Sequence, residues 1–259
     1  MSIGPTVRPS MRDSGQAVVE TAITLPLTVF LVLGTIQLFM MLQGRLMAEH
    51  AAFKAVRTGV VKHGDCDAMT HAAIAALLPS FTTYLGRGTP GSTPEDKLVN
   101  AFRARTAGMP FQNRFEPGLD NGHDRPIVWI YRERPLTTDV TAQSEQDFDD
   151  PNGGGYRLEV RLVYWFPLRV PFANWVMSSM FRAAFGLGNR VGLVDPVMPV
   201  TTAKWQAVPG LTLGPLAGEF ITRFNLRQWS FPITTSYAMR MMTPPRPKFF
   251  ATQNCPPAP

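Results

Sequence analysis

Gly15 closes a polar, basic stretch, and five positions later Glu20 stands at the head of an apolar run. A carboxylate at the edge of hydrocarbon is costly and normally has a partner. Hydrolysis of the Gly15–Gln16 bond would supply one, because it frees an ammonium at Gln16. Glu20 of one copy could then meet the Gln16 amine of its neighbour, pairing two charges at membrane depth. Within one copy, Glu20 also favours the positive end of its own helix. The alternative leaves the bond intact and Glu20 solvated among headgroups.

Cys66 and Cys255 are the other reactive pair. Two cysteines are too few for a cysteine-based zinc cage but enough for one disulfide in an oxidising compartment. Such a bond would tether a proline-rich tail to the region behind the first helix. Two independent thiols remain the alternative.

Other candidate chemistry is weak. Asp147, Asp149, Asp150 and Asn152 precede three glycines, yet Pro151 takes a ligand position of a calcium loop and no Glu closes it. His50, His63, His71 and His123 have no metal-ligand spacing. Phosphate-binding loops, Gly-x-Ser-x-Gly and His-Glu-x-x-His are missing. The sequence asks for no catalytic residue, no metal and no cofactor, which argues against an enzyme.

The elements that would position Gly15, Glu20 and the cysteines begin with a membrane helix. Ala22 to Leu42 carries no charge, and at ~1.5 Å per residue it spans about 31 Å, the thickness of a hydrocarbon core. Its roughly twelve Leu, Ile, Val and Phe contribute about −5 kcal/mol towards insertion, outweighing Pro26, Gly34 and Gln37. The run is longer than a signal peptide's apolar region, and LMAEHAA behind it makes a poor cleavage site. The positive-inside count leans slightly against an external C-terminal domain, but long domains translocate largely regardless of charge.

Helical periodicity continues beyond Leu42, predicting one helix from about Gln16 to Lys62. Ala51, Ala55 and Gly59 line a stripe of small residues that permits close approach by another helix or a sheet. Further helices are predicted over 68–84, 94–108 and 173–186, and strands over 127–132, 156–166 and 231–242. The polar stretch TAQSEQDFDDPNGGG and residues 187–230 read as loop.

The run GQAVVETAITLPLTVFLVLGTIQLFMMLQGRLMAEHAAFKAVRTGVV closely resembles the start of the TadE-like family of Tad (Flp) pilus assembly proteins. Gly15-Gln16-Ala17, Val19-Glu20, Leu25-Pro26 and Ala55-Val56-Arg57 carry the resemblance. It implies cleavage after Gly15 by a prepilin-type peptidase and a minor, pilin-like (pseudopilin) role. Thr21 stands where the major Flp pilins have Tyr, and the chain is several times longer, which argues against the major filament subunit. Trp165-Phe166-Pro167 and Met239-Arg240 also resemble the family's outer-domain strands.

The chain has 259 residues, 45% hydrophobic and 17% charged, with 24 Pro, enough for one sizeable domain with long loops. Its net charge of +6 comes with no long Lys/Arg run, so no nucleic-acid partner is expected.

The expected fold class is α+β: a long N-terminal helix packed on a small antiparallel sheet with additional short helices, pilin-like. Its parts would be a cytoplasmic leader (1–15), a transmembrane half-helix (16–42), a periplasmic domain (43–242) and a proline-rich tail (243–259). The expected partners are the inner membrane, a prepilin-type peptidase, other pilin-like subunits and the Tad secretion platform. An uncleaved, membrane-anchored periplasmic scaffold is the runner-up.

Overall fold

The computed structural model describes residues 12–84, 89–106, 112–120, 122–148, 155–184 and 213–256. Its organising element is α1, Arg12–Val61, a single helix of 50 residues. The N-terminal part of α1 stands free of the domain. Leu25, Leu27, Leu31 and Leu38 are all more than half exposed, whereas Ala48, Ala51, Ala52, Ala55, Val56 and Val60 are completely buried. The small-residue stripe therefore packs inside its own domain. A Cβ on Gly59 would lie 2.6 Å from Leu158 Cδ2 and 2.5 Å from Met69 Sδ, so a larger residue would force those side chains to shift.

α1 ends in a left-handed residue, His63 (φ 58°), with Gly64 N donating to Gly59 O at 2.8 Å. That bond satisfies a carbonyl the helix would otherwise leave open. His63 thus sits in the cap, past the helix, and its Nδ1 lies 2.8 Å from Pro244 O. Helix α2, Cys66–Phe81, starts immediately after this turn, capped by Asp65, whose side chain accepts from Asp67 N. It lies against α1. Helix α3, Pro94–Thr106, follows with Glu95 and Asp96 in its first turn.

Strand β1 is Val128–Arg134 and β2 is Arg157–Pro167. Between them the sequence predicts only loop, but Ser144–Asp147 forms a one-turn helix, α4. Its first residue, Ser144, is fully buried, and Ser144 Oγ accepts from Thr141 N and from Tyr156 Oη. The predicted calcium-loop candidates Asp149, Asp150 and Asn152 lie outside the described residues; Asp147 is the last residue of α4.

Helix α5 is Ala173–Ala184. Helix α6, Leu213–Asn225, corrects the reading of this stretch as loop. Gly214, Pro215 and Gly218 lower its helix propensity, but Pro215 falls in the first turn, where the missing N–H costs nothing. Leu216, Glu219, Phe220 and Arg223 then recur on one buried face. The remaining predicted loop, 187–212, lies outside the described residues.

β3, Ser230–Arg240, pairs antiparallel with the whole of β2, from Arg157↔Arg240 to Pro167↔Ser230. β4, Asn254–Cys255, pairs antiparallel with β1 through Ile130↔Cys255. The sheet order is β3-β2-β1-β4. One face carries Leu158 against Gly59, and Tyr164, whose hydroxyl is 2.7 Å from Ser80 Oγ. The other carries Trp165 beneath the Arg223 guanidinium of α6, 4.4 Å from the ring centroid. The architecture is α+β: helices cover both faces of a small antiparallel sheet, and one of them extends beyond the domain.

Candidate membrane and assembly site

The free end of α1 holds the first candidate residues. Gly15 and Gln16 both fall within the helical backbone, in its first turns. Glu20 is exposed, and among the described residues no ion pair reaches it. Its carbonyl accepts from Thr24 Oγ1 at 2.8 Å. Thr28 and Thr35 likewise donate to the carbonyls four residues back, at 2.8 and 2.7 Å. Each hydroxyl is satisfied within its own helix, so these polar groups need no water.

α1 is also the one helix among the described residues long and apolar enough to cross a membrane, and its most apolar window has a mean hydropathy of 2.1. Its one amide side chain between Val18 and Leu42, Gln37, is fully buried. Gln37 Oε1 accepts from Val170 N at 2.9 Å, which satisfies a backbone donor just beyond β2. Spacing alone marks Gln37 as a cost; the fold makes it the latch between α1 and the β2–α5 connection. Beside it, Phe30 and Phe172 meet edge to face at 6.0 Å.

At the far end of the domain, Cys66 and Cys255 are joined in a disulfide, with Cα atoms 5.3 Å apart. The tail that the bond holds is packed rather than loose. Phe250 is buried, and Pro247–Phe249 makes a short 3-10 turn. Arg132 is its second anchor. Its guanidinium donates to Gly64 O (3.0 Å), Phe249 O (2.7 Å) and Gln253 O (3.0 Å), and also to Thr252 O. Burial pulls its pKa down to about 10, which leaves it charged at any ordinary pH.

Two further ionic groups had no sequence motif to announce them. Glu219 accepts from Arg223 Nε at 2.8 Å and pairs with Arg125, which ties α6 to the segment entering β1. The i,i+4 spacing of Glu219 and Arg223 was its one local signal. A cleft of about 580 Å³ opens beside it, bordered by Arg114, Asp124, Pro126 and Thr222. Arg105, on α3, pairs with Asp120 of the loop that follows, both buried.

The histidines are dispersed. His50 is exposed next to Phe53, His71 lies against Phe102, and His123 is buried against Phe115. Among the described residues, no group of three or more His, Cys, Asp or Glu is placed to hold a metal ion.

The decisive observation is a long helix that carries Gly15-Gln16-Ala17 and Glu20 near its start, is exposed from Val18 to Val29, and buries an Ala/Gly stripe in its second half. That helix is similar to the TadE-like family. Residues 15–57 match the TadE-like protein family. The matched segment begins at the glycine of the candidate cut and ends four residues before α1 does, so it coincides with the helix and stops short of the sheet. No curated protein and no solved structure matches the chain.

Proposed function

We propose that this protein is a pilin-like component of Tad pilus assembly, acting by association rather than catalysis. In this reading α1 is held in the bacterial inner membrane and the α+β domain lies in the periplasm. A prepilin-type peptidase cuts between Gly15 and Gln16. Glu20 then sets register against the new Gln16 amine of an adjacent pilin-like subunit, either in the filament or on the secretion platform at its base.

The TadE-like match over residues 15–57 carries this reading. The continuity of α1 supports it, because a single helix joins the apolar segment to the spine of the domain. Movement of the apolar half out of the bilayer would therefore carry the domain along as one body.

The test is the N-terminal residue of the mature protein, taken from membranes of its native host by intact mass and N-terminal peptide mapping. A chain beginning at Gln16 is expected. A chain still beginning at Met1, in cells with an active prepilin peptidase, would sink the pilin-like reading and leave a membrane-anchored scaffold.

A further inference from the structure

Helix α5 has a two-sided character that the packing of the domain does not use up. Ala173 and Met177 are buried, and Phe181 stacks on Phe231 with ring centroids 4.3 Å apart. Flanking that buried side, Phe172, Trp175 and Met180 are 49%, 53% and 60% exposed. Val176, Met180 and Ala183 follow the i, i+4, i+7 spacing of one helix face, with Trp175 at its edge and Phe172 just before the helix. Apolar residues exposed together on one face mark an interaction surface.

The position of this face decides what covers it. α5 packs on α1, and Phe30, Leu31, Gly34 and Leu38 line a groove of about 320 Å³ with Met177 and Met180. The exposed face is therefore continuous with the bare apolar surface of α1. Counted from the first apolar residues at Val18, ~20 residues of helix at ~1.5 Å each cross the hydrocarbon and reach Gln37. Phe30 to Leu38 is then the last ~12 Å before the far boundary, the depth at which interfacial helices bury their apolar faces. Trp175 suits that level, since indole rings collect at membrane–water boundaries.

We infer that α5 is a monotopic membrane helix: the Phe172–Trp175–Met180 face enters the outer boundary of the bilayer that α1 crosses, and a lipid acyl chain fills the groove between α1 and α5. The inference rests on α1 spanning the membrane but not on cleavage after Gly15. It makes the domain a lipid-seated body rather than one dangling from a stalk, and it shortens the true transmembrane part of α1 to about residues 18–37.

Nitroxide labels provide the test, because Cys66 and Cys255 are consumed in their disulfide. Trp175→Cys and Met180→Cys would be labelled in the full chain, reconstituted in vesicles of phosphatidylcholine and phosphatidylglycerol. Val29→Cys serves as the deep reference and Val99→Cys, exposed on α3, as the aqueous one. Labels at 175 and 180 are expected to be more accessible to oxygen and less to a water-soluble nickel chelate than label 99. Their depth should be about 5–10 Å. Water-exposed labels at 175 and 180 beside a deep label 29 would overturn the inference while leaving α1 as a membrane span. Labels at 175 and 180 closed to both reagents and broadened by a second spin would overturn it in favour of a protein neighbour. A water-exposed label 29 would overturn both the inference and the membrane span.

Discussion

The guanidinium of Arg132 lies 4.2 Å from the centroid of the Phe250 ring, joining the middle of the chain to its tail. The contact stands at the centre of a knot. Arg132 donates to carbonyls of residues 64, 249, 252 and 253, and Gln253 Nε2 returns a bond to Arg132 O at 2.5 Å. Replacing Arg132 by Met keeps the length but leaves buried carbonyls unpaired. Arg132→Met is expected to lose at least about 3 kcal/mol, read as a lowered denaturation midpoint.

Opening the Cys66–Cys255 bond should act on the same region. Cys66→Ser together with Cys255→Ser is expected to cost about 2–5 kcal/mol. Because the disulfide and Arg132 hold one tail, their losses should not add. The triple variant should fall short of the sum in a double-mutant cycle by thermal melting. Full additivity would mean that the two anchors act independently.

His123 gives the domain an acid sensitivity. Burial, with the Arg223 and Arg169 charges nearby, holds its pKa at about 4, below the ordinary value of about 6.5. The unfolded chain therefore binds the extra proton first. The stabilisation is whole above about pH 6.5 and is lost as pH falls towards 4, by roughly 3 kcal/mol in all. Denaturant midpoints measured across that window should decline, and His123→Asn should flatten the decline.

Gln37→Leu should improve the hydropathy of α1 yet destabilise the protein. It removes the acceptor of Val170 N, and an unpaired buried donor costs about 1–3 kcal/mol. Hydrogen exchange at Val170 in the detergent-solubilised chain should quicken, while the amides of β2 stay protected.

Gly59→Val tests the close approach of α1 to α2 and β2. The added carbons meet Met69 and Leu158, and overpacking of this kind costs about 1–3 kcal/mol. The melting temperature should drop, whereas Val61→Ala, at an exposed position on the same helix, should leave it nearly unchanged.

Much of this fold is written in local pattern. The predicted helix from Gln16 to Lys62 and the observed Arg12–Val61 nearly coincide, because fifty residues of one period leave little freedom. The three long strands, rich in aromatic and β-branched residues, fall within a residue or two of expectation. What local pattern leaves hidden depends on distant partners. α6 is hidden by Gly214, Pro215 and Gly218, and its helical face becomes visible only when Trp165 and Arg125 are there to receive Arg223 and Glu219. The tail looks like a proline-rich appendage because β4 is two residues long; its partners Arg132 and Ile130 lie more than a hundred residues earlier. Gln37 reads as a cost to insertion for the same reason, since Val170 is 133 residues away.

The pairing of β4 with β1 also sets an order of events. Chains emerge N-terminal end first, so α1, α2 and three strands exist before residue 255 does. Until then the outer edge of β1 lacks its partner, and the Cys66 thiol waits without Cys255. Completion of the domain is thus a signal that synthesis has run through to the tail, and a chain stopped short would present an open sheet edge and a reactive thiol together.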